Sequence, residues 1–246
     1  MNSTAPNGGH DAGHWRYNGS MKPRDANIDQ SLKGILLINA ITLVVALWQD
    51  WSVLQLMWPF WMQSMIIGWY ARQRILKLNE FSTEGFKINN RAVDPTPKTQ
   101  RFTANFFAFH YGFFHLGYLL FLITMTLTTD PGGYVTVTHE STGETSQMHV
   151  GHVHPLDFVI FVLLAWGFLK AHRASHHEHV EADLRNSPNI GTLMFLPYAR
   201  IIPMHLTIVL ALPLGGGALW FFVLLKTAAD VIMHKVEHRL LQSSAR

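Results

Sequence analysis

Two stretches of this chain, residues 51–71 and 102–129, contain no Asp, Glu, Lys or Arg. A helix needs about 20 apolar residues to cross a bilayer core, so each stretch is long enough to be a spanning helix. The remaining composition agrees. Only 14% of the 246 residues are charged, against roughly a quarter in soluble domains, and 16 Phe and 8 Trp add apolar bulk. The chain has no Cys, which excludes disulfides, thiolate-bound zinc, iron–sulfur sites and thiol nucleophiles. Its 15 His are the main chemical resource.

Six apolar segments stand out: Leu32 to Trp48, Trp51 to Tyr70, Phe102 to Leu127, Leu156 to Leu169, Arg200 to Leu214 and Ala218 to Val236. The fourth and fifth are short and rely on snorkelling flanks such as Lys170 and Arg200. Pro213 and the glycines at 215–217 divide the fifth from the sixth. The distribution of basic residues tests this division. Arg16, Lys22, Arg24 and Lys33 precede the first span, and seven basic residues from Arg72 to Arg101 separate the second from the third. Lys170, Arg173, Arg185 and Arg200 lie between the fourth and fifth, and Lys235, Arg239 and Arg246 follow the sixth. Six spans put every Lys and Arg except Lys226 on one side, whereas merging the last two would send the C-terminal group to the wrong face. The expected fold is an all-α polytopic membrane bundle of six spans with both termini cytoplasmic. The basic residues mark the inner leaflet, not a nucleic-acid patch.

Residues 1–31 read as a polar tail without a cleavable signal peptide, 32–240 as the membrane domain and 241–246 as a short C-terminal tail. Trp48, Trp51 and Trp220 fall at the expected outer interface and Trp69, Tyr70 and Tyr198 at the inner one. In the outer loop, residues 128–155, the alternation Tyr134, Val135, Thr136, Val137, Thr138 before a Ser-Thr-Gly-Glu turn at 141–144 predicts a short exposed hairpin.

Ionisable groups within spans are costly and mark functional sites. Lys226, Asp230, His234 and His238 recur every four residues, forming one slowly drifting polar stripe. Counting inward at about 1.5 Å per residue puts His110 about 12 Å deep, His205 about 7 Å, His234 about 3 Å, Asp230 about 9 Å and Lys226 about 15 Å. On this reading His110, His205, Asp230 and His234 share a layer suited to zinc or non-haem iron. Asp230 and Lys226 are then the catalytic candidates, with Lys226 stabilising developing negative charge. The plainer alternative is an intrahelical Lys226–Asp230 ion pair with interfacial histidines.

A second cluster, His172, His176, His177 and His179, ends the fourth span. With His238 it supplies secondary metal candidates, because His172 and His176 lie one turn apart on one face. Its plainer alternative is a solvated helix end, where cations suit the C-terminal dipole. A third group, His139, His149, His152 and His154, lies in the outer loop and reads as solvated histidines.

The pairs His172/His176 and His234/His238 resemble fragments of the histidine boxes of membrane di-iron desaturases and hydroxylases. More specifically, FFAFHYGFFHLGY at 106–118, PYARIIPMHLTIV at 197–209 and LLKTAADVIMH at 224–234 resemble an uncharacterised bacterial membrane family, domain of unknown function 6498. The resemblance implies a multi-span inner-membrane protein and brings no reaction with it. It rests on His110, Tyr111, Arg200, His205, Lys226, Asp230 and His234. A looser similarity, to zinc-dependent membrane hydrolases of the alkaline ceramidase and adiponectin-receptor type, lies in the pairing of His110 with His234 and His238.

Three functional classes follow. The chain is a metal-dependent membrane enzyme acting on a lipid-like substrate, an ion- or proton-coupled transporter, or a non-catalytic subunit whose polar residues hold helices together. Membrane lipids are the expected partners, nucleic acid is not, and a homo-oligomer or membrane complex remains open.

Overall fold

The structure is a computed structural model that describes residues 23–138, 142–202, 205, 206, 210, 221, 222, 224–226, 228, 229 and 232. The described chain is mostly helical: α1 spans Pro23–Trp48, α2 Val53–Leu76, α3 Pro97–Thr128, α4 Asp157–Asn186 and α5 Ile190–Phe195, which runs on into a 3-10 turn, Leu196–Arg200. Two small antiparallel hairpins join them. Strand β1 (Lys87–Ile88) pairs with β2 (Arg91–Ala92) between α2 and α3, and β3 (Tyr134–Thr138) pairs with β4 (Thr145–His149) between α3 and α4. The second is the hairpin that the Tyr134–Thr138 alternation predicts.

Local chemistry sets several of these boundaries. Helix α1 begins at Pro23, a residue suited to the first helical position because it has no N–H to leave unsatisfied. Residues 23–31, expected in the tail, are thus the opening turns of α1. Helix α3 likewise starts with Pro97, behind Thr96, whose Oγ1 accepts from the Thr99 amide at 3.2 Å. Asn89 and Asn90 both adopt positive φ, 50° and 64°, as the tight turn between β1 and β2 requires.

Helix α2 is the centre of the bundle. It buries Leu54, Leu56, Met57, Trp58, Phe60, Gln63, Ser64 and Gly68, with α3 and α4 packed along it and α1 packed on α4. Gly68 permits the closest approach of α2 to α3: a Cβ there would lie 2.5 Å from Tyr111 Cε1. Tyr111 fills that space and donates its hydroxyl proton to Ser64 O at 2.9 Å.

Helices α3 and α4 are apolar on their outward faces as well as on their buried ones, where Phe107, Leu122, Phe161 and Phe168 pack. Along α3 the buried stripe includes Thr103, Tyr111, His115 and Tyr118, while Phe109, Phe113, Leu116, Leu120 and Leu127 face outward. Along the first half of α4, Val159, Val162, Leu163 and Trp166 face outward. A soluble domain buries such residues and rarely exposes them in continuous bands. Among the described residues, α3 and α4 are the two helices long and apolar enough to cross a membrane, and in each only 28% of the most apolar stretch is buried.

Candidate functional site

Helix α4 changes character after Leu169. Lys170 lays its ammonium over the Trp166 ring, 3.5 Å from the centroid, and the helix then continues as a polar extension to Asn186. His172, Ser175, His176, Ala182 and Asp183 are buried on the extension, with His179 partly buried beside them. Spacings of three and four residues carry this stripe along one face. Helix α2 supplies Tyr70 and Arg74, and Lys77 follows at its C-cap.

Helix α5 closes the third side. It is fixed at its start by Ser82, whose amide donates to Pro188 O and whose carbonyl accepts from the Ile190 amide, both at 3.0 Å. Asn189 caps it by accepting from the Thr192 amide at 3.1 Å. The three elements enclose a cavity of about 70 Å3. One wall carries His172, Ser175, His176, His179, Tyr70 and Arg74. The other carries Leu193, Leu196 and Pro197, with Ile67 and Ala71 between.

The polar wall is internally ordered. Arg74 grips Asp183 with two bonds, Nε to Oδ2 and Nη2 to Oδ1, the latter 2.9 Å. Ser175 Oγ lies 3.1 Å from His179 Nδ1, and the Tyr70 and His176 rings lie 4.9 Å apart. Lys77 Nζ is 3.4 Å from His176 Nε2. An ammonium has only protons to give, so His176 Nε2 is the acceptor and the neutral ring carries its proton on Nδ1. His176 stands about 10 Å past Leu169, beyond the apolar stretch. Burial, and then the positive charge of Lys77, push its pKa down to about 4.

The sequence-derived site is distributed differently. His110 Nδ1 is 2.8 Å from Tyr198 OH, whereas His205 Nδ1 is 3.0 Å from Tyr118 OH. Eight residues, a rise of about 12 Å, separate His110 from Tyr118 on α3, so the two imidazoles pair with tyrosines and are tied to different turns of that helix. The expectation of equal depth took Arg101 and Arg200 as level with one another. Tyr198, two residues before Arg200, instead lies beside His110, nine residues after Arg101, so the segments are staggered.

Lys226 is buried with its ammonium 5.1 Å from the centre of the Phe60 ring, and Phe222 packs against that same ring. Asp230, His234 and His238 lie outside the described residues. His172 and His176 turn their Nε2 atoms toward Gln63 and Lys77, which are fourteen residues, about 21 Å, apart on α2. They do not present a paired clamp, and His177 is exposed. Among the described residues no three His, Asp or Glu side chains gather as a metal-holding group. In the segment between α3 and α4, His149 packs on Tyr134 and His154 Nδ1 accepts from the Leu156 amide at 3.3 Å, while His139 lies outside the described residues.

The sequence reading missed Tyr70, Arg74, Ser175 and Asp183 as site residues. Extending the His172/His176 face by helical steps to 179 and 183 is the signal that finds Asp183. It also missed His115, buried in α3 with Nδ1 donating to Tyr111 O at 2.9 Å and its ring stacked on Tyr111 at 4.2 Å.

The chain belongs to a family of unknown function (DUF6498), whose model matches residues 21–246. No curated protein and no solved structure matches it.

Proposed function

We propose that this member of the family is a multi-pass protein of the bacterial inner membrane that receives the polar head of a membrane-dissolved amphiphile in the cavity between α2, α4 and α5. The observation that carries this reading is the division of the cavity into a hydrogen-bonding wall of His172, Ser175, His176, Tyr70 and Arg74 and an apolar wall of Leu193, Leu196 and Pro197. Such a surface matches a molecule with a polar end and a hydrocarbon end. Its location supports the same conclusion. The cavity sits where α4 passes from its outward-facing apolar half to its polar extension, the depth at which lipid heads meet acyl chains. The seven basic residues of the 72–101 segment support a cytoplasmic position for this end under the positive-inside rule, in an arrangement of six spans with both termini inside.

The Ser175–His179 contact favours a second reading, in which the bound amphiphile is also turned over. A hydroxyl hydrogen-bonded to an imidazole can pass its proton to that base as it attacks an acyl or phosphoryl centre.

Because the chain has no Cys, Leu193→Cys introduces a unique thiol into the apolar wall. An environment-sensitive fluorophore attached there should change its emission when short-chain amphiphiles are titrated into the detergent-purified protein. No response to amphiphiles of any head group overturns the binding reading. Ser175→Ala should leave that response intact, and unchanged conversion of a turned-over amphiphile in this variant removes the catalytic reading.

A further inference from the structure

We infer that the head group taken by this cavity is a phosphate-class oxyanion, recognised by donors gathered around His176. The inference rests on reading the cavity as an amphiphile-head site and names the chemistry of that head.

The donor inventory points one way. Because Nε2 of His176 accepts from Lys77, the proton on Nδ1 is the ring's remaining hydrogen-bonding function, and it has no partner among the described residues. Tyr70 contributes a hydroxyl to the same lining. Lys77 places a full positive charge one imidazole away, so negative charge at Nδ1 is stabilised through the polarised ring. No carboxylate lines the cavity among the described residues. Asp183, the acid nearest in the stripe, is held by Arg74. That pair contributes no net charge, which leaves Lys77 as the uncompensated charge beside a neutral imidazole.

A cationic ligand head would find no counter-charge here and would meet Lys77. A neutral polyol would offer hydroxyl acceptors but no negative charge to answer Lys77. A phosphate offers three or more acceptor oxygens and full negative charge, matching a site rich in donors and poor in acceptors. The volume, about 70 Å3, is enough for a compact head. Among the described residues, the charged and titratable groups around His176 include Arg74 and Tyr70 from α2, Lys77 at its C-cap, and His172, His177, His179 and Asp183 from its own helix.

The test uses the detergent-purified full chain with three dihexanoyl amphiphiles: a glycerol phosphate monoester, a phosphocholine diester and an uncharged diacylglycerol. Inorganic phosphate serves as competitor. The monoester should bind at least tenfold more tightly than the diacylglycerol, and Lys77→Gln should reduce that preference at least fivefold, with Lys77→Arg restoring it. Lys77 is exposed, so neither variant threatens folding.

Competition by inorganic phosphate at comparable concentration identifies a site open to the free anion. Its absence identifies lipid-borne phosphate, and both outcomes support the oxyanion assignment. Equal binding of all three amphiphiles overturns the assignment while leaving the amphiphile reading intact. A monoester preference that survives Lys77→Gln also overturns it, because recognition then lies elsewhere. Failure of all three to bind removes the amphiphile reading itself.

Discussion

Arg74 and Asp183 are joined by two parallel hydrogen bonds, and through them the C-terminal end of α2 is fixed to the polar extension of α4. The Asp183 side chain is 4% exposed and that of Arg74 is 15% exposed, so neither charge is free to rehydrate if its partner is lost. Breaking a pair of this kind from one side leaves a buried charge without compensation.

Asp183→Ala is therefore expected to cost about 3 kcal/mol of stability, read as a lowered midpoint of thermal unfolding in detergent. The double variant Arg74→Ala/Asp183→Ala should lose clearly less than the sum of the two single changes, because it removes the stranded charge. Additive losses would show that the pair is not coupled.

His176 makes stability depend on pH. Its folded pKa, about 4, lies below the ordinary 6.5, so between these values the unfolded chain binds more protons than the folded one. The contribution is complete above pH 6.5 and is lost as pH falls toward 4. The unfolding midpoint should drop across this window in the wild type, and His176→Phe should flatten that part of the profile. An unchanged slope in the variant would assign the acid sensitivity to another group.

Gly68→Ala tests the contact between α2 and α3. The added methyl would lie 2.5 Å from Tyr111 Cε1, and overpacking of this kind costs about 1–3 kcal/mol. Shortening the opposing ring with Tyr111→Leu should recover part of the loss in the double variant, measured by the same thermal unfolding. A neutral Gly68→Ala would mean that the helices are free to separate there.

The six-span arrangement predicts opposite labelling of the two hairpins. In intact spheroplasts a membrane-impermeant maleimide should reach Thr136→Cys in β3 and should not reach Asn90→Cys between β1 and β2 until the membrane is opened. Labelling of both positions from outside would reject the arrangement.

Much of the architecture was legible because bilayer chemistry writes itself into composition. The uncharged run at 102–129 became α3, the apolar run after Leu156 became the first half of α4, and the alternation at 134–138 became a strand. The start of α1 was not legible, because Asp25 and Asp29 read as tail while Pro23 opens the helix. The tyrosine partners of His110 and His205 were not legible for a different reason. Sequence fixes depth within a span, but the stagger between spans is set by packing, here by Tyr198 lodging beside His110. The cavity was half legible: His172 and His176 were singled out for their spacing, but their partners Gln63 and Lys77 come from another helix, which turns an apparent metal pair into two separate contacts.

The apolar outward faces of α3 and α4 have a practical consequence for protein engineering. The aromatic and aliphatic side chains at 109, 113, 116, 120, 159 and 163 take little part in the seams that hold the helices together. Replacing this outer coat with Glu, Lys and Gln, while leaving Tyr111, His115, Tyr118 and the α2 seam untouched, would convert the scaffold into a form that dissolves without surfactant.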